Sequence, residues 1–108
     1  MDTKYNGWEN YETWNVNLWL TNEESTDSEL TEMAQNAWNE AEADKTFTRE
    51  ENAAFALADT IKEWVEEMTP ELPASMFSDL LGAALGSVDW REIAENHLED
   101  VEKEEVTE

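Results

Sequence analysis

Three capping signals recur along this chain, and each opens an apolar stripe at helical spacing. Thr26 with Glu29, Thr48 with Glu51, and Asp89 with Glu92 place an oxygen-bearing side chain three residues before a Glu. In that arrangement the first side chain accepts from the third backbone N–H, and the Glu reaches back to the cap. Behind the first box, Leu30, Met33, Ala34, Ala37, Trp38 and Ala41 follow a period near 3.6. Behind the second come Ala54, Leu57, Ala58, Ile61, Trp64, Val65 and Met68; behind the third, Trp90, Ile93, Ala94, Leu98 and Val101.

These stripes predict helices over 26–43, 49–68 and 89–104. Thr69-Pro70 stops the second, because the residue before proline disfavours the α region. A shorter helix is expected over 75–86, with Met76, Phe77, Leu80, Leu81, Ala84 and Leu85. Asp79 is its only charge, so it is expected at the centre of the fold, with Gly86 as its C′ residue. Over 10–21, Asn10 is placed to cap a helix carrying Tyr11, Trp14 and Leu18 on one side. Trp14, Val16, Leu18 and Leu20 also alternate as a strand would. With no second strand to pair with, the helix is favoured. The expectation is an all-α, compact bundle of four to five helices in one domain, 1–104, followed by a frayed acidic tail, 105–108.

Against this apolar interior stands a formal net charge of −22, from 28 Asp and Glu and only six Lys and Arg in 108 residues. A small domain is usually well served by a charge magnitude of roughly 2–8. Acidic chains with few aromatics stay unfolded, because they bury too little apolar surface to offset chain entropy. Six Trp, two Tyr and three Phe argue for a folded core here. The charge is uneven. Residues 23–47 and 88–108 each carry −7, whereas 71–87 carry −2. Glu92, Glu95, Glu99 and Glu102 recur so as to form one ridge on the last helix. Like charges at that spacing cost a helix a few tenths of a kcal/mol per pair, so stability does not account for them.

The composition excludes several functions. Nucleic acid and anionic membranes would repel the chain. No apolar run reaches the ~20 residues of a membrane span. The first residues have neither a basic nor an apolar region of the secretory kind, and with no cysteine a cytoplasmic setting is expected. His97 is the single histidine, expected as a packed or half-exposed helix residue, and no catalytic residue is assigned. Asp44 to Arg49 begins like a calcium loop, but Arg49 stands where that loop needs glycine. Ala94 stands where a ferritin-like Glu-x-x-His pair needs its acid. Neither a metal nor a cofactor is expected.

The stretch Tyr5-Asn6-Gly7-Trp8-Glu9-Asn10-Tyr11-Glu12-Thr13-Trp14-Asn15-Val16-Asn17-Leu18-Trp19-Leu20 resembles the Y-N-G-W-x-N-Y-E-T-W-N-V-x-L-W-L opening of a family of small uncharacterised acidic proteins of phages and plasmids. Asp79-Leu80-Leu81-Gly82-Ala83-Ala84-Leu85 and Val88-Asp89-Trp90-Arg91-Glu92-Ile93-Ala94 are similar to that family's closing elements. The family carries no assigned reaction. The resemblance implies a mobile-element setting and transfers no functional residue. From the residues themselves, the motif reads as a core-forming helix with the turn that precedes it.

A compact domain of this length has a radius of gyration near ~13 Å, hence a diameter of roughly 34 Å. That length of duplex carries about 20 phosphates, close to the chain's net charge. The leading expectation is therefore a non-enzymatic decoy, a DNA mimic. Glu29, Glu32, Glu40, Glu92, Glu95, Glu99 and Glu102 would stand in for phosphates. The partner would be a basic nucleic-acid-binding host protein, such as a restriction or CRISPR effector. The alternatives are a protein–protein adaptor or halophilic helical module, and an antitoxin-like partner. Oligomeric state is left open by the sequence.

Overall fold

A computed structural model describes residues 4–103. It contains five helices: α1 Tyr11–Asn22, α2 Glu24–Glu40, α3 Arg49–Met68, α4 Met76–Gly86 and α5 Trp90–Leu98. Among the described residues there is no strand, only an isolated bridge between Tyr5 and Trp8, so the protein is an all-α bundle. The acidic tail expected at 105–108 lies outside the described residues.

α3 is the clearest case of sequence dictating structure. Thr48 accepts from Glu51 N–H, and the Glu51 carboxylate accepts from Thr48 N–H at 2.9 Å, completing the capping box. Ala53, Ala54, Leu57 and Ile61 are buried along one face. That face meets α2 through Leu30, Ala34 and Trp38, and α5 through Ile93, Ala94 and Leu98. Nine-residue α5 could not persist alone in water; burial of this stripe holds it.

The box expected at Thr26 does not form. α2 starts two residues earlier, with Glu23 as an N-cap that makes no side-chain cap bond. Thr26 Oγ1 donates instead to Leu20 O at 2.6 Å and Glu23 O at 3.2 Å. Its hydroxyl thus satisfies an orphan carbonyl at the end of α1, across a one-residue turn. α2 also ends three residues short of 43, where Ala41 turns extended.

α1 forms as a helix, with the Asn10 side chain accepting from Thr13 N–H. The strand alternative falls away. Its burial is the reverse of an ordinary amphipathic helix. Thr13 and Leu20 are buried and Val16 packs on the core, while Tyr11, Leu18 and Trp19 are exposed. Polar Thr13 and Asn17 can face inward because each is bonded to α5 or the turn before it.

α4 corrects the expectation of a central helix. It has no buried residue, and Met76, Phe77 and Leu80 are 64%, 66% and 61% exposed. The other four helices pack on one another; α4 stands outside that set. It is stabilised locally by a Ser75–Ser78 capping box. Gly86 is its last helical residue rather than C′, and Ser87 is the C-cap in a right-handed conformation. The overall extents are 59 × 36 × 28 Å with a Cα radius of gyration of 15.6 Å, longer and looser than a compact sphere.

Candidate functional site

The two ends of the chain are joined by hydrogen bonds between the opening and closing motifs. Asn10 Nδ2 donates to Ser87 O at 2.7 Å. Asp89 N–H donates to Thr13 Oγ1 at 2.8 Å, and that hydroxyl donates to Asn10 Oδ1 at 2.6 Å. Glu9 N–H donates to Glu92 Oε1 at 2.9 Å. Asp89 caps α5 by accepting from Glu92 N–H. The third capping box is therefore half-formed, since the Glu92 carboxylate reaches the N-terminal segment instead of its own cap. Ahead of this junction, Asn6 and Gly7 have φ of 48° and 89°, and Tyr5 and Trp8 exchange two backbone bonds of 2.7 Å. The Asn6-Gly7 dipeptide, a signature of such a turn, is the sequence signal for it.

Of the motif's rings, Trp8 packs against the core as expected, whereas others do not. Tyr5, Tyr11 and Trp14 form a cluster with centroids 4.9 to 5.5 Å apart. Tyr5 and Tyr11 are exposed, as are Leu18 and Trp19 further along α1.

The acidic residues singled out from the sequence fall into two groups. Glu29, Glu32 and Glu40 are exposed on α2. The expected ridge on the last helix is broken. α5 ends at Leu98, Glu99 is its C-cap, and Glu102 lies beyond it. The last turn tightens through Glu99 N–H to Asn96 O and Asp100 N–H to His97 O. Carboxylates are disfavoured at this negative end of the helix dipole, and only His97 offers a basic group there. Gln35 then captures the chain. Its amide accepts from Glu102 N–H at 2.9 Å and donates to Glu102 O at 2.8 Å. Glu92 is half-buried and bonded to Glu9 N–H; Glu95, Glu99 and Glu102 stay exposed.

Two depressions flank α5 and the segment after it. One is lined by Glu50, Glu51, Glu95 and Glu99, with Arg91 and Lys103. The other lies against α2 and includes Asp27, Gln35, His97, Asp100 and Glu102. No described carboxylate is buried. Several cationic side chains lie against rings. Arg49 sits 3.9 Å and Lys103 5.1 Å from the Trp38 centroid, and Arg91 sits 4.4 Å from Phe55. Arg91 also pairs with Glu95 at 2.9 Å.

His97 Nε2 lies 2.8 Å from Asn17 Oδ1. Burial pushes the imidazole below its ordinary pKa, partly offset by Asp27 and Asp100. The nearby Thr21 and Thr31 hydroxyls donate to carbonyls of their own helices. Asp44, from the loop that begins like a calcium site, accepts from Phe47 and Thr46 N–H and from Asn52. Those bonds, Phe47 foremost, hold its carboxyl below the usual range. Asp44 is thereby a turn-former. Among the described residues no group of three acids or histidines is arranged to hold a metal ion.

A model of a family of unknown function, DUF7249, matches residues 1–108. The chain belongs to the DUF7249 family. No curated protein and no solved structure matches it. Membership spans both end motifs, and in this DUF7249 chain they meet at Asn10, Thr13, Ser87 and Asp89. No helix is long and apolar enough to cross a membrane among the described residues.

Proposed function

We propose that this DUF7249 protein is a non-enzymatic acidic decoy. It is carried by a phage or plasmid and acts in the host cytoplasm. There it occupies the basic nucleic-acid site of a host protein such as a restriction or CRISPR effector. The observation that carries this reading is the surface balance: no described Asp or Glu is buried, and 28 acidic residues stand against six basic ones. The net field is strongly anionic, and such a field speeds capture by a basic groove.

The elongated shape adjusts the comparison with DNA. Along 59 Å a duplex carries about 35 phosphates, so a charge of −22 reaches roughly two thirds of that density. The decoy is thus a sparser imitation than a 34 Å sphere would be. Glu29, Glu32 and Glu40 on α2, and Glu95, Glu99 and Glu102 on and after α5, are the groups offered to the partner, Glu95 while also paired with Arg91. Glu92 serves the junction with Glu9 instead.

The test is displacement of a labelled duplex from a panel of restriction and CRISPR effectors, at about 50 and about 200 mM salt. Displacement that weakens with salt, and is lost in the triple variant Glu95→Lys, Glu99→Lys, Glu102→Lys, is expected. Failure to displace DNA from any member would sink the reading. A second reading, a protein–protein adaptor, is favoured by the exposed Tyr5, Tyr11, Leu18 and Trp19. Tyr and Trp are enriched at binding hot spots. Adaptor binding would survive the charge reversal and fail in Trp19→Ser.

A further inference from the structure

We infer that the outer face of α4 is a self-association surface, on which a second copy of this chain packs its own α4 to form a weak symmetric dimer. The inference is independent of what the acidic surface binds. Met76, Phe77, Leu80 and Ala83 are exposed and lie along one side of α4. Leu81 and Leu85 turn the other way and are half-buried. A helix that is apolar on nearly all sides is normally covered, and among the described residues nothing covers the outer side.

Charge selects the occupant. Residues 71–87 hold only Glu71 and Asp79 and no basic side chain, whereas 23–47 and 88–108 carry −7 each. A face built for a basic partner would carry carboxylates among its apolar groups; this one is nearly neutral. Asp79, exposed beside Met76 and Ala83, is the one charge on α4; the rest of the face is apolar and complementary to itself, and a two-fold interface pairs identical patches.

Area sets the strength. Met76, Phe77 and Leu80 together expose on the order of 400 Å², the size at which an apolar patch marks an interaction site. A symmetric pair would cover about 800–1,000 Å², the low end for a specific interface. Repulsion between two bodies of −22 opposes the contact. Salt screens that repulsion beyond a Debye length of ~8 Å at physiological ionic strength. The dimer is therefore strengthened by salt, opposite in sign to capture by a basic groove.

The experiment is sedimentation equilibrium of the full chain at about 0.05 and about 0.5 M sodium chloride. A monomer–dimer equilibrium is expected, with a dissociation constant of about 10–100 µM at the higher salt and tenfold weaker at the lower. Phe77→Ser with Leu80→Ser should weaken it at least tenfold, with helicity by circular dichroism and melting temperature unchanged, because both residues lie outside the core. Trp19→Ser, on α1, should leave it intact. A chain that stays monomeric to about 1 mM at both salts overturns the proposal. A dimer that survives the α4 variant but is lost in Trp19→Ser overturns it equally, by placing the contact on α1.

Discussion

Arg49 holds Trp38 from two directions at once. Its guanidinium carbon lies 3.9 Å from the indole centroid, while Nε and Nη2 donate to Trp38 O at 3.2 and 2.7 Å. The carbonyl belongs to the last turn of α2, and Arg49 is the first residue of α3. One side chain therefore closes a helix end, covers a core ring and fixes the 41–48 loop. Lysine keeps the charge but has no planar fork to bond and stack together. Arg49→Lys is expected to lower stability by about 1–2 kcal/mol. Urea unfolding followed by circular dichroism would show a lower midpoint with an unchanged slope.

The buried hydroxyl of Thr13 links the opening and closing stretches of the chain's sequence. It is fully buried, donates to Asn10 and accepts from Asp89 N–H. Thr13→Val keeps the shape and strands the Asp89 N–H and one Asn10 lone pair. A buried donor left unpaired costs about 1–3 kcal/mol. Hydrogen exchange should show the Asp89 amide losing protection beyond the global loss. Thr13→Ser, which retains the hydroxyl, should recover most of it.

These two residues show where the sequence could be read and where it could not. α3 was legible because its cap, its stripe and its stop are local: Thr48 with Glu51, Leu57 with Ile61, and Thr69-Pro70. The inward face of α1 was not. Thr13 and Asn17 look like solvent residues until their partners, 76 and 80 positions away, are known. The end of α5 failed for the same reason, because the amide of Gln35 that draws Glu102 off the helix sits 67 positions earlier. Thr26 is a third instance, with an oxygen that suits a cap but bonds the preceding helix. For the acidic surface, the sequence supplied the number of carboxylates. Their spacing depended on where α2 and α5 stop. In α4, apolar composition read as burial, but burial also needs a neighbour, and the described residues supply none for its outer face.

His97 makes stability depend on pH below neutrality. Its folded pKa is lowered, burial being the main cause, with Asp27 and Asp100 opposing. The unfolded chain then binds more protons than the folded one as pH falls through the ordinary value of about 6.5. Stability from the neutral imidazole is present above that value and is lost as pH drops through the folded pKa. Denaturation midpoints are therefore expected to fall between pH 7 and the folded pKa. In His97→Gln, which can still donate to Asn17, that part of the slope should disappear.

Gly82 tests how α4 is held. It lies inside the helix without a positive φ, and a Cβ built there meets nothing within 4 Å. No close approach among the described residues requires glycine, so its backbone freedom only weakens the helix. Gly82→Ala should stabilise α4 by about 0.5–1 kcal/mol. Because α4 packs on none of the other helices as they pack on each other, its opening is expected to be local, at lower free energy than global unfolding. The gain should therefore appear as slower exchange of the α4 amides, about three- to fivefold, with the α3 and α5 amides unchanged. Equal slowing in α3 and α5 would mean that α4 unfolds together with the bundle, despite its exposed face.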